Sequence, residues 1–138
     1  MNGYLMQDLQ FTPGQENFIE SFSPENSFGV VFEDDGETGY FYAVEKDKDG
    51  TGLRILDALH IYEVEEDPAV QEGGSPSKLL IVWSRDWMKC ALVIGGYCQA
   101  LFDFEAQGGY NINEFPPPND IWTKGGRKLT DELVQRYF

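Results

Sequence analysis

Between Phe28 and Val44 apolar and polar side chains alternate in two short runs, Phe28-Gly-Val-Val-Phe-Glu-Asp and Thr38-Gly-Tyr-Phe-Tyr-Ala-Val. A period of two marks strands with one buried face, and the intervening Asp35-Gly36 is a preferred pair for a two-residue hairpin turn. Such a turn sets Val31 opposite Tyr40 and Val30 opposite Phe41. Phe28, Val30, Phe32, Phe41 and Ala43 then share a wholly apolar face, and Val31, Glu33, Thr38, Tyr40 and Tyr42 share an amphipathic one. The first belongs in a core.

Leu53 to Glu65 is a β-branched and aromatic run long enough for one strand with a bend. Leu53, Ile55, Leu59 and Ile61 give it an apolar side interrupted by Asp57, opposite Arg54, Leu56, Ala58, His60 and Tyr62. Residues 78–84, 89–94 and 97–105 read as further strands, the last two flanking a Gly95-Gly96 hairpin turn with apolar residues on both faces, as central strands require. Gly108-Gly109 and Pro116-Pro117-Pro118 are expected to end the sheet. Residues 1–27 are weakly patterned, with one candidate strand near Asn17 to Phe22, and 65–77 has the composition of a surface loop. Near the C-terminus Leu129, Leu133, Val134 and Tyr137 change to helical spacing, with Thr130 as cap and Asp131 and Glu132 suited to the positive end of a helix dipole. The pattern predicts a short helix from Asp131 to Tyr137.

The expected fold is mainly β (or α+β): one strongly bent antiparallel sheet or half barrel with that helix packed on it. At 138 residues the chain has the length of a single domain. It divides into an N-terminal segment (1–27), a β core (28–122) and a C-terminal helical segment (123–138). No apolar stretch is long enough to span a membrane as a helix, and the N-terminus lacks the pattern of a signal peptide. A soluble cytoplasmic protein is expected.

Charge narrows the function classes. Asp and Glu total 24 against 10 Lys and Arg, a formal net charge of -14. Residues 1–75 hold 17 of the acids and three of the bases, whereas 76–138 hold seven of each. Phosphate backbones are repelled by such a field, so nucleic acid is disfavoured as a partner. A basic protein is the natural complement, and Asp34, Asp35 and Glu37 at the first hairpin with Glu65, Glu66 and Asp67 in the loop are the candidate contact residues.

Candidate chemistry is sparse. His60 is the one histidine, so any histidine-assisted nucleophile needs it, and strand periodicity puts Asp57 on the opposite face. No catalytic set is nominated. Tyr40, Tyr42 and His60 define an alternative small-ligand site at the mouth of the sheet. Cys90 and Cys98 are offset across their hairpin, Cys98 facing Val93 and Cys90 facing Leu101, so both are expected as free thiols. Glu45-Lys-Asp-Lys-Asp-Gly50 copies the start of a calcium loop, but its twelfth position is Leu56 where a glutamate must close the site, and no metal or cofactor is expected. Phe115 and Trp122, around the three prolines, can either clamp that run on the sheet or offer an aromatic docking surface.

The segments Phe28-Gly-Val-Val-Phe-Glu-Asp-Asp-Gly-Glu-Thr-Gly-Tyr-Phe-Tyr-Ala, Ile55-Leu-Asp-Ala-Leu-His-Ile-Tyr62, Ile81-Val-Trp-Ser84, Phe102-Asp-Phe104 and Phe115-Pro-Pro-Pro118 resemble a family of small uncharacterised bacterial proteins, a conserved domain of unknown function. The resemblance spans about residues 28 to 122. It implies a bacterial cytoplasmic source and no reaction. Together these readings lead to a non-enzymatic acidic interaction protein, an immunity-type inhibitor being one concrete form, with a small-ligand-binding β domain as the alternative.

Overall fold

The structure is a computed structural model that describes residues 1–66 and 75–138. Its strands are β1 (Tyr4–Phe11), β2 (Asn17–Phe22), β3 (Phe28–Asp34), β4 (Thr38–Lys46), β5 (Leu53–Glu63), β6 (Ser77–Trp83), β7 (Lys89–Ile94), β8 (Tyr97–Asp103) and β9 (Gly108–Asn111). A 3-10 turn covers Val64–Glu66, and α1 (Asp131–Tyr137) is the helix predicted at the C-terminus, its Thr130 hydroxyl accepting from the Leu133 N–H. The expected antiparallel β architecture with a short helix is what the chain forms, and the strands are divided between two sheets. One has the order β1-β6-β7-β8-β9, the other β2-β3-β4-β5.

The inner faces of the two sheets make the core. Val30, Phe32, Phe41, Ala43 and Leu59 of the four-stranded sheet meet Phe11, Leu79, Ile81, Trp83, Leu92, Ala100 and Phe102 of the other. Rings join them directly: Phe41 stacks on Phe102 at 5.2 Å, Phe28 on Phe104 at 4.7 Å, and Phe11 meets Phe32 edge-on at 5.5 Å. Such pairs each contribute about 0.5–1.5 kcal/mol beyond the area they bury. The indole N–H of Trp83 donates to Ser21 Oγ across the same gap, at 3.0 Å, so the buried indole keeps a partner.

Four local expectations change. The first hairpin turns at Gly36-Glu37, with Asp35 N–H bonded to Thr38 O, and pairs Val31 with Tyr42 and Val30 with Ala43. Asp35 Oδ1 drives the choice by accepting from the N–H groups of Glu37 and Thr38, while Gly36 takes a φ of 95°, which its missing Cβ permits. The slip is two residues, so both faces keep the side chains the alternation gave them. In β5 the register shifts between Ala43 and Val44 and again between Gly39 and Tyr40. Leu56 and Ile61 are the extra residues, and each bulge exchanges the faces beyond it. Leu53 and Ile55 consequently lie outside the core, exposed at 49% and 63%.

A bulge also separates Leu92 from Val93, so Cys98 faces Val93 as expected while Cys90 faces Phe102 and not Leu101. Both cysteines are free thiols. Finally, Gly108-Gly109 does not end the sheet but begins β9. Glycine is needed there because a Cβ on Gly109 would lie 2.7 Å from Asp57 Oδ2 and 2.8 Å from the Phe102 ring.

Candidate functional site

The outer face of the four-stranded sheet carries most of the side chains singled out above. Its register aligns Phe18, Glu33, Tyr40 and His60 in one row and Glu20, Val31, Tyr42 and Ala58 in the next. Tyr40 and Tyr42 stack at 5.9 Å, and His60 stands edge-on to Tyr40 at 5.4 Å. The three residues of the ligand-binding alternative are therefore contiguous. They form a wall on an open sheet face, since Phe18 at the other end of the row is 63% exposed.

His60 is held on every side. Asn113 Nδ2 lies 2.7 Å from Nδ1 and Glu63 Oε1 lies 2.9 Å from Nε2. Because the Asn113 oxygen already accepts from Phe115 N–H and Asn111 Nδ2, its amide nitrogen donates to Nδ1, and the ring proton sits on Nε2 facing the carboxylate. The backbone of His60 donates to Phe115 O, and its carbonyl accepts from Asn111 Nδ2. The histidine thus fastens the 111–115 segment to β5. Phe115 leans edge-on against it at 5.9 Å and stays half exposed, while Trp122 packs on Phe102 and Phe104. Of the two flanking aromatics, Trp122 clamps and Phe115 remains accessible.

The six candidate acids separate into different environments. Asp35 and Glu37 are exposed at the hairpin tip, and Glu65 and Glu66 are exposed in the adjoining 3-10 turn. Val64 N–H donates to Glu37 O at 2.8 Å, which holds turn and tip side by side. The N–H groups of Glu37 and Thr38 lower the pKa of Asp35 below its ordinary value. Asp34 departs from the expectation of a surface contact: it is 1% exposed. Its Oδ2 accepts from Gly14 N–H at 2.8 Å and Tyr62 O–H at 2.6 Å, and Oδ1 from Gly36 N–H at 2.8 Å. Alternation put it on the core side of β3, and these donors let a carboxylate stay there. Asp67 lies outside the described residues.

The calcium-like segment closes the β4–β5 hairpin. Its Glu45 pairs with Arg54 and accepts from Ser27, and Asp49 accepts from the N–H and hydroxyl of Thr51. No group of three potential metal-binding side chains occurs among the described residues.

Sequence reasoning missed the buried polar centre between the sheets. Asp57, on the inner face as its strand parity required, forms an ion pair with Arg127, and Thr123 Oγ1 donates to Asp57 Oδ2 at 2.5 Å. The acid interrupting an apolar strand side was the available sign; nothing in Gly125-Gly-Arg-Lys128 pointed to its partner. A separate groove of about 560 Å³ lies against the other sheet, where Val93, Cys98, Ile112, Leu129 and Val134 line the gap beside α1.

Among the described residues, two antiparallel sheets, one short helix and an acidic, aromatic outer face define a mostly β protein without a nominated catalytic set. Residues 11–138 match the DUF2251 family, described as uncharacterized proteins conserved in bacteria, and the chain belongs to that family. It is similar to an uncharacterized protein of Haemophilus influenzae, 41% identical over 113 residues that cover 80% of this chain and 66% of that protein. The chain thus spans just under two thirds of the length of that relative. No solved structure matches it. No described helix is long and apolar enough to cross a membrane.

Proposed function

We propose that this protein is a non-enzymatic acidic interaction protein that engages a basic protein partner, with an immunity-type inhibitor as its concrete form. The observation carrying this reading is the joining of two acidic segments by the Val64 N–H to Glu37 O bond, which brings Asp35, Glu37, Glu65 and Glu66 to one end of the four-stranded sheet. Charges gathered within a Debye length of about 8–10 Å add their fields and steer an oppositely charged partner. The whole chain reinforces them with its net charge of -14.

Neutralising Asp35, Glu37, Glu65 and Glu66 to Asn or Gln tests the reading on the isolated native partner by stopped-flow association over a range of salt. The expected result is a capture rate lowered by about tenfold or more with a flatter salt dependence, and unchanged thermal stability. An unaltered rate and salt slope would reduce the acidity to a matter of solubility. The alternative, a small-ligand binder, draws on the contiguity of Tyr40, Tyr42 and His60. It predicts instead that a co-purifying small molecule is lost when Tyr40 and Tyr42 are replaced by alanine.

A further inference from the structure

Within the row Phe18, Glu33, Tyr40 and His60, the carboxylate of Glu33 stands between two aromatic neighbours on adjacent strands. Facing residues on one side of a sheet have their Cβ atoms about 4.5–5.5 Å apart, so Glu33 has an aromatic residue as its cross-strand neighbour on each side. Tyr42, the next outward residue of β4, adds a second ring stacked on Tyr40. The Glu33 side chain makes no hydrogen bond or ion pair among the described residues, whereas Glu63 is paired with His60 and Glu45 with Arg54. Glu20, one row away on β2, adds a further negative charge to the same face. Partial burial, then the field of Glu33, raises the pKa of the Tyr42 phenol.

We infer that Glu33, walled by Phe18 and Tyr40, seats an arginine side chain presented by the basic partner. The inference rests on the basic-partner reading and names the side chain that reading leaves unspecified. A guanidinium is planar, weakly hydrated and able to make two parallel bonds to one carboxylate while a flat face lies on an aromatic ring. A lysine ammonium is a compact, strongly hydrated charge that gains less from such walls. A hard metal ion requires several oxygen ligands, and a single carboxylate between rings does not supply them.

The test is an NMR titration of the full chain with three blocked tripeptides, acetyl-Gly-X-Gly-amide, in which X is arginine, lysine or citrulline. The arginine peptide should shift the Phe18, Glu33 and Tyr40 resonances saturably, the lysine peptide several-fold more weakly, and the uncharged citrulline peptide about tenfold more weakly or worse. Glu33→Gln and Tyr40→Ala should each weaken arginine binding by about fivefold or more with the rest of the spectrum unchanged, and Glu25→Gln, at the opposite end of β3, should not. Equal binding of arginine and citrulline peptides, or unchanged binding by Glu33→Gln, overturns the seat. Shifts confined to Asp35, Glu37, Glu65 and Glu66 also overturn it while leaving the basic-partner reading in place. An unaltered capture rate and salt slope in the four-acid variant, with the seat intact, would do the reverse.

Discussion

Asp57 and Arg127 face each other through two parallel bonds, Nη1 to Oδ2 at 2.7 Å and Nη2 to Oδ1 at 2.8 Å, with both side chains almost wholly buried. The rest of the guanidinium is used as well: Nε donates to Pro116 O at 2.6 Å and Nη1 to Gly109 O at 3.1 Å. Asp57 Oδ1 also accepts from Ala58 N–H. One pair of charges therefore ties β5 of one sheet to β9 of the other and anchors the 116–127 segment over their junction. Burial makes both ions costly, and this full set of bonds is what offsets the cost.

Arg127→Met leaves Asp57 buried without a counter-charge and is expected to destabilise the fold by about 3–5 kcal/mol. The double variant Asp57→Leu with Arg127→Met removes both charges and should recover a substantial part of that loss. Urea unfolding of the two variants and the parent measures it. Equal losses in the single and double variants would show that the geometry around the pair, and not the uncompensated charge, sets the penalty.

Asp34 and Asp35 are adjacent in sequence and should respond oppositely to replacement. Asp34→Ala deprives Gly14 N–H, Gly36 N–H and the Tyr62 hydroxyl of their acceptor, a loss of about 2–3 kcal/mol in unfolding free energy. Asp35→Asn should leave equilibrium stability nearly unchanged while slowing capture of a basic partner. A comparable stability loss in both would contradict the separation of the two carboxylates into core and surface.

Titration of denatured protein with a thiol reagent should count two thiols, and the folded protein should react far more slowly. Burial raises the Cys98 pKa from its ordinary 9.0 to about 11, and burial likewise raises that of Cys90 well above its ordinary value. A raised folded-state pKa contributes stability that is present below the unfolded value. It is lost as pH climbs from about 9 towards 11. Alkylation at pH 8 followed by mass spectrometry checks the first point and unfolding between pH 8 and 11 the second. Rapid native alkylation of Cys98 at pH 8 would refute its burial.

Thr130→Ala removes the acceptor for Leu133 N–H and should cost about 1 kcal/mol. Hydrogen exchange should show the loss concentrated in Leu133 and Val134. Global acceleration of exchange at the core strands would mean that α1 supports the sheet more than its half-buried side chains suggest.

How far the sequence carried the fold depended on the range of the interactions involved. The paired faces of β3 and β4, the strand at Asn17 to Phe22 and the cap at Thr130 follow from neighbours a few residues away, and alternation or spacing records such neighbours directly. β1 escaped notice because Leu5 and Met6 are exposed and its register shifts between Leu5 and Gln7, which breaks the period of two. The bulges at Leu56 and Ile61 are set by the partner strand and leave no trace in β5 alone. The contiguity of Tyr40, Tyr42 and His60 was readable as strand parity, but the enclosure of His60 was not, because Asn113 and Phe115 belong to a segment that follows it only after β6, β7, β8 and β9. Asp34 was misread for a related reason: a loop acid and a buried acid have the same one-letter code, and only the arrival of Gly14 and Tyr62 distinguishes them.

The Asp57 to Arg127 bond also sets an order of events during synthesis. Asp57 and the strand that carries it leave the ribosome first, and the counter-charge follows only when the chain has been extended by a further 70 residues. Until then the four-stranded sheet has a carboxylate on the face it must bury. The partner that lets the carboxylate be buried is thus supplied by a segment 70 residues further along the chain, and the two sheets are neutralised at their junction only when that segment has joined them.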